Sequence, residues 1–166
     1  MRTLGIDPGT AIMGWGVVDD DGSGGLRPIS YGTITTSKNL SLSQRLQLLH
    51  RGLVEIIERY RPETAGIEEL FFGKNVNTAL AVGHARGVAL LALADAKVPV
   101  QEYRPLAVKQ AVTGYGHADK HQMQEMVRLT LGLDIIPKPD DAADALAIAI
   151  CHATSMNNYQ LPIINE

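Results

Sequence analysis

Cysteine occurs once, at Cys151, so no intrachain disulfide can form, and its place in an Ala/Ile run suits a small buried apolar side chain better than a nucleophile. Long hydrophobic runs are also missing. Val88 to Ala94 is as long as any, far short of the roughly 20 residues needed to cross a bilayer. Asp7 interrupts the apolar opening that a signal peptide would need. A soluble, cytoplasmic protein is expected, with no membrane attachment. No repeat or low-complexity linker marks a second domain. With 45% hydrophobic content, the 166 residues are expected to form a single domain over 1–156, followed by a loosely attached tail over 157–166.

Positive charge is in short supply too. A net charge of −3 and a pI near 5.9 are not the footprint of a general nucleic-acid binder. The charge is unevenly spread, however. Between Phe71 and His121 six bases (Lys74, Arg86, Lys97, Arg104, Lys109, Lys120) face three acids (Asp95, Glu102, Asp119), leaving nine bases and fifteen acids elsewhere. Three of the five histidines, His84, His117 and His121, lie in the same stretch. Such a segment is either a solvated surface or a face for phosphates.

Three strands open the chain. Thr3 to Asp7 is stopped by Pro8-Gly9, Gly14 to Val18 follows, and Leu26 to Thr35 resumes after the turn-rich run Asp19 to Gly25. Ser41 and Gln44 match a capping box, and Leu42, Leu46, Leu49, Leu53, Ile56 and Tyr60 recur at helical spacing until Pro62. Ala65 to Ile67 has room only for a strand. A helix over 76–96, a strand over 98–103, a short helix from Pro105 to the Gly114-Tyr115-Gly116 break, a helix over 120–131 and a last helix from Asp140 or Asp141 through Ala153 complete the order. This alternation predicts an α/β fold: one five-stranded mixed sheet with helices on both faces, its later strands parallel because helical crossovers reach them.

Acids stand at the ends of these elements. Asp7 ends the first strand, Glu68-Glu69 ends the fourth, and Asp140, Asp141 and Asp144 open the last helix. Ends of neighbouring strands meet in one crevice, and a helix N-terminus beside them can add further acids. Asp141 and Asp144 are spaced i, i+3 and so share a helical face. Spacing alone does not choose Glu68 over Glu69, or Asp141 over Asp140. Individually, the helix acids need only complement the helix dipole, and a strand-end glutamate can simply be solvated. Asp7 is harder to dismiss, being an acid in an apolar strand between Gly5 and Gly9. Grouped carboxylates repel unless protonated or neutralised by divalent cations. Magnesium suits an all-oxygen set better than zinc does. Two ions about 4 Å apart would flank a scissile phosphate.

The ordered blocks Gly5-Ile6-Asp7-Pro8-Gly9-Thr10, Ile67-Glu68, Lys74-Asn75, Ala85-Arg86-Gly87-Val88-Ala89, Val108-Lys109-Gln110 and Asp141-Ala142-Ala143-Asp144-Ala145-Leu146-Ala147 resemble the signature of bacterial RuvC Holliday-junction resolvases, from about Arg2 to His152. The resemblance implies a ribonuclease H-like fold, with the first strand central and beside the fourth. It also implies a structure-selective endodeoxyribonuclease that makes paired symmetric nicks in recombination and repair. Its catalytic metal ligands would be Asp7, Glu68, Asp141 and Asp144, holding two Mg2+ per site, with Mn2+ as a substitute. On this analogy Asp7 bridges both ions, with Glu68 on one side and Asp144 and Asp141 on the other. Asp141 stands where some members carry histidine.

The same resemblance assigns Lys109 and Lys120 to the scissile phosphate and Phe71, beside Lys74, to stacking on an unpaired base. It leaves Phe72 either in the core or facing DNA. Arg86 contacts DNA backbone or fixes its helix to a neighbour. The implied partners are a four-way DNA junction, a second copy of the chain and a branch-migration complex of RuvA and RuvB. Gly83 and Gly87, among alanines, give the second helix a smooth face that suits either burial inside the monomer or the dimer contact the resemblance implies. Asp7-Pro8-Gly9-Thr10 also resembles the first phosphate motif of actin-like and sugar kinases. Those proteins need two such domains, more than this length is expected to hold. Another rival is a non-catalytic binder of branched DNA, or a relative acting on RNA; four costly acids argue against a purely structural role.

Overall fold

The computed structural model describes residues 1–69 and 76–160. The element order is β1 (Arg2–Asp7), β2 (Ile12–Asp20), β3 (Leu26–Thr35), α1 (Leu42–Tyr60), β4 (Thr64–Glu68), α2 (Val76–Asp95), β5 (Val100–Tyr103), α3 (Pro105–Thr113), α4 (Lys120–Thr130) and α5 (Asp140–Gln160). The strands form one sheet in the order β3-β2-β1-β4-β5. The tight connections pair β1, β2 and β3 antiparallel, while the helical crossovers through α1 and α2 bring β4 and β5 in parallel to β1. The sheet is mixed, as expected, with β1 at its centre beside β4.

Side chains alternate across each strand, which divides the core in two. Leu4, Ile6, Met13, Val17, Ala65 and Ile67 face α1 and α2, meeting Leu49, Leu53 and Ile56 of α1. The capping box is present: the Ser41 hydroxyl accepts from the Gln44 amide, and the Gln44 side chain accepts from the Ser41 amide. On the other face lies α5, covered outside by α3 and α4 through Val108, Val112, Met123 and Val127. Enclosure on both sides explains why α5 is apolar almost all round: every residue from Ala145 to Ala153 is buried.

Glycines let α5 lie against the sheet. Gly5 pairs with Gly16 on β2 and with Gly66 on β4, making a row across the three central strands. A Cβ on Gly5 would stand 2.1 Å from the Ala145 carbonyl oxygen and 2.5 Å from the Ala149 amide nitrogen. One on Gly14, the register partner of Asp7, would stand 1.9 Å from the Asp141 carbonyl oxygen. The first turn of α5 therefore rests on the strand next to Asp7.

Several element ends differ from the sequence reading: β2 runs over Ile12–Asp20 instead of Gly14 to Val18, because its antiparallel pairing with β3 extends over that whole span. β5 starts at Val100 instead of Val98, because the Val98 amide bonds back to the Leu93 carbonyl and closes the exit from α2. α5 continues to Gln160, into the stretch expected to be a loose tail from 157. No glycine or proline interrupts the chain between Pro139 and Pro162, so nothing local stops the helix at 157.

His152 is buried on α5 and bonded at both ring nitrogens, Nε2 to the Thr64 hydroxyl and Nδ1 to the Tyr103 hydroxyl, each at 2.7 Å. The Thr64 hydroxyl gives its proton to the Pro99 carbonyl at 3.3 Å, so Nε2 donates to Thr64 and Nδ1 accepts from Tyr103. Burial lowers the imidazole pKa to about 4 and keeps it neutral. His152→Leu should destabilise the fold by about 2 kcal/mol, since buried hydroxyls on β4 and β5 lose a partner; an unchanged urea midpoint would remove the network from the stability of the sheet edge. No helix among the described residues is long and apolar enough to cross a membrane.

Candidate active site

Ile6 and Ile67 are parallel partners, so Asp7 and Glu68 are the next residues on adjacent strands and leave the sheet on the α5 face. Asp144, one turn into α5, meets them from above, and α3 and α4 close the sides. The result is a cleft of about 380 Å3 lined by Asp7, Glu68 and Asp144, by Lys109 and Lys120, and by an apolar wall that includes Val108, Met123 and Ile148. Asp141 is not part of this lining. It sits over Gly14 in the first turn of α5, yet its charge still reaches Asp7.

The electrostatics mark the three lining acids as a group. The Asp7 carboxyl is pushed up to about 7, chiefly by burial and then by repulsion from Glu68, Asp144 and Asp141, with Lys120 acting the other way. Glu68 is raised by burial and by Asp144, and Asp144 by burial against the opposing pull of Lys120. The neighbouring acids behave differently. Glu69 accepts a 3.0 Å hydrogen bond from Arg104 outside the cleft. Asp140 is held down at about 2 by Lys120, Lys138 and Gln124. Tertiary structure thus separates Glu68 from Glu69, which spacing could not; of Asp140 and Asp141, which spacing also left open, neither lines the cleft.

All the donors are hard oxygens, and a cation would relieve the repulsion that raises them, so the set fits a divalent ion of the magnesium type. Among the described residues no three acid, histidine or cysteine side chains close around a single point. A larger hollow of about 520 Å3 lies at the opposite end of the sheet, near Arg2 and Asp19. Asp19 there is flanked by Arg2 at 2.8 Å and Arg27 at 3.7 Å, which hold its carboxyl below the usual range, the opposite of the raised carboxyls of the cleft.

Residues 3–152 match the family model described as crossover junction endodeoxyribonuclease RuvC. The chain belongs to the RuvC family. A crossover junction endodeoxyribonuclease RuvC of Chloroflexus aurantiacus is 71% identical over 160 residues, covering 96% of this chain and 97% of the relative. One from a Roseiflexus species is 63% identical over 165 residues, covering 99% and 95%. Among solved structures, Thermus thermophilus RuvC in complex with Holliday junction substrate is similar with a TM-score of 0.91 at 40% identity, over 96% of each chain. The five-stranded mixed sheet is the ribonuclease H-like fold of this family.

The remaining site candidates divide. Lys109 reaches the cleft and donates to the Ala118 carbonyl at 3.1 Å, while Lys120 stands 3.0 Å from Asp140 and 3.8 Å from Asp144. Arg86 is mostly buried and paired with Glu102, which ties α2 to β5; of the two roles open to it, fixing its helix is the one this geometry supports. Phe71, Phe72 and Lys74 lie outside the described residues. Sequence reasoning passed over the apolar wall of the cleft and the glycine row. Gly5, Gly14 and Gly16 at alternate positions of facing strands were a visible signal for the latter.

Proposed function

We propose that the chain is a structure-selective endodeoxyribonuclease that resolves four-way DNA junctions by paired, symmetric phosphodiester hydrolysis in recombination and repair. The observation that carries this reading is the shared cleft of Asp7, Glu68 and Asp144, three acids held above their usual range beside two lysines. Asp7, Glu68, Asp141 and Asp144 serve as catalytic ligands, with Asp7 central because it ends the middle strand of the sheet, between Gly14 of β2 and Glu68 of β4. Mg2+ ions, two per site and replaceable by Mn2+, would supply Lewis acidity and lower the pKa of the attacking water. Lys109 and Lys120 offset the charge that builds on the phosphate as the water oxygen bonds to phosphorus and the ester oxygen leaves. Phe71 and Lys74 are the candidates for DNA contact on the strength of family resemblance, while Arg86 fixes α2 to β5 through Glu102.

The junction as substrate is supported by the Thermus thermophilus protein, whose structure is a complex with a Holliday junction. Family membership also supports a cytoplasmic enzyme working with the branch-migration complex of RuvA and RuvB. The decisive experiment incubates purified protein with a labelled synthetic four-way junction in Mg2+ or in Ca2+. Symmetric nicks in Mg2+ alone are expected; no nicks in any divalent cation would overturn the reading.

A two-fold junction needs two sites, and the same reading assigns a homodimer. Leu80, His84, Gly87 and Leu91 are exposed at i, i+4, i+7 and i+11 along one side of α2, with both leucines 55% exposed and nothing within 4 Å of a Cβ built on Gly87. An apolar stripe with a flat centre suits an antiparallel copy of itself. Leu91→Arg should yield monomers by sedimentation and lose the coordination between paired cuts. An unchanged dimer mass would place the contact elsewhere.

A further inference from the structure

Asp140 opens α5, and Asp144 follows one turn later on the same side of the helix. The Asp140 carboxylate is shared between two ammonium groups: Oδ1 accepts from Lys138 at 3.1 Å, and Oδ2 lies 3.0 Å from Lys120. Lys120 is the first residue of α4 and also faces Asp144, but at 3.8 Å, beyond hydrogen-bonding distance. One ammonium therefore stands between two carboxylates and is held by the outer one. If Asp140 lost its charge, the nearest remaining carboxylate for Lys120 would be Asp144, and attraction would draw Nζ onto it.

We infer that Asp140 is a positioning residue, which tethers Lys120 at the rim of the cleft and so keeps the Asp144 carboxylate open to a divalent cation. The inference rests on the reading of Asp144 as a cation ligand. Asp140 itself lies outside the cleft lining and touches no reacting group. The device explains why a lysine useful to a phosphate can sit so near a metal ligand without occupying it.

Mn2+ binding to the DNA-free protein, followed by water-proton relaxation, tests this without turnover. Asp140→Asn should weaken Mn2+ binding about fivefold, the scale of one exposed ion pair. In a Lys120→Met background the same change should have no effect, because the competing ammonium is gone. If Asp140→Asn weakens binding equally with and without Lys120, Asp140 acts directly, through its own charge or the helix end, and the inference fails. Asp144→Asn separates the two levels of the reading. Weaker Mn2+ binding in that variant retains the ligand assignment whatever Asp140 does, whereas unchanged binding overturns both.

Discussion

Asp7→Asn should abolish junction cutting, by about 10^3-fold or more in rate, while junction binding measured in Ca2+ changes little. The substitution keeps the side-chain shape at the end of β1 and removes the one charge that interacts with Glu68, Asp141 and Asp144 together. Cutting at wild-type rate would take Asp7 out of the mechanism; loss of binding as well as cutting would indicate a misfolded variant instead of a disabled site.

The same variant should be more stable than the parent at alkaline pH in a chelator. An acid raised from 3.8 to about 7 in the folded state binds its proton more tightly there than when unfolded. Stability is then greatest below the unfolded pKa and falls as pH rises through the folded one, by no more than about 4 kcal/mol. Asparagine escapes that loss. Expected at pH 8 is a melting temperature about 5 °C or more above the parent. Added Mg2+ should raise the parent toward the variant, because a cation bound to the ionised carboxylate replaces the missing proton. An alkaline melting temperature unchanged by Asp7→Asn would mean the carboxyl is better solvated than its burial implies.

Gly5→Ala should be nearly as damaging, and for a reason remote from chemistry. The added methyl would sit 2.1 Å from a backbone oxygen and 2.5 Å from a backbone nitrogen of α5. Neither atom can rotate aside as a side chain would, so the helix must lift off three strands at once. Overpacking against a flexible neighbour costs about 1–3 kcal/mol; against fixed backbone the cost should reach about 3 kcal/mol or more. Lifting α5 also carries Asp141 and Asp144 away from Asp7 and Glu68. The expected result is a lower urea midpoint together with weakened Mn2+ binding in whatever fraction still folds. A normal midpoint would show that α5 can slide along the sheet.

Much of the fold was legible because it is written in local terms. The Ser41–Gln44 box starts α1, Pro105 opens α3, Gly114 adopts the left-handed conformation (φ 77°) that ends it, and β1, β2 and β3 are bounded by turn residues. β2, β5 and the end of α5 were misjudged because cross-strand pairing, the closing turn of α2 and the absence of a breaker decide them. The acids at element ends were legible as a set, and family resemblance chose among them.

By itself the sequence determined which segments become strands and helices, and that acids would stand at their ends, since propensity, capping and periodicity act within a few residues. Only the tertiary structure decided which acids meet. Whether Glu68 or Glu69 turns into the cleft depends on strand pleat and on Arg104, and Asp140 is kept at its rim by Lys120 and Lys138. The seating of α5 on the glycine row depends on three strands pairing in register. Burial and mutual repulsion arise only between charges brought together from distant parts of the chain, so the raised carboxyl of Asp7 is a property of the fold and of no segment within it.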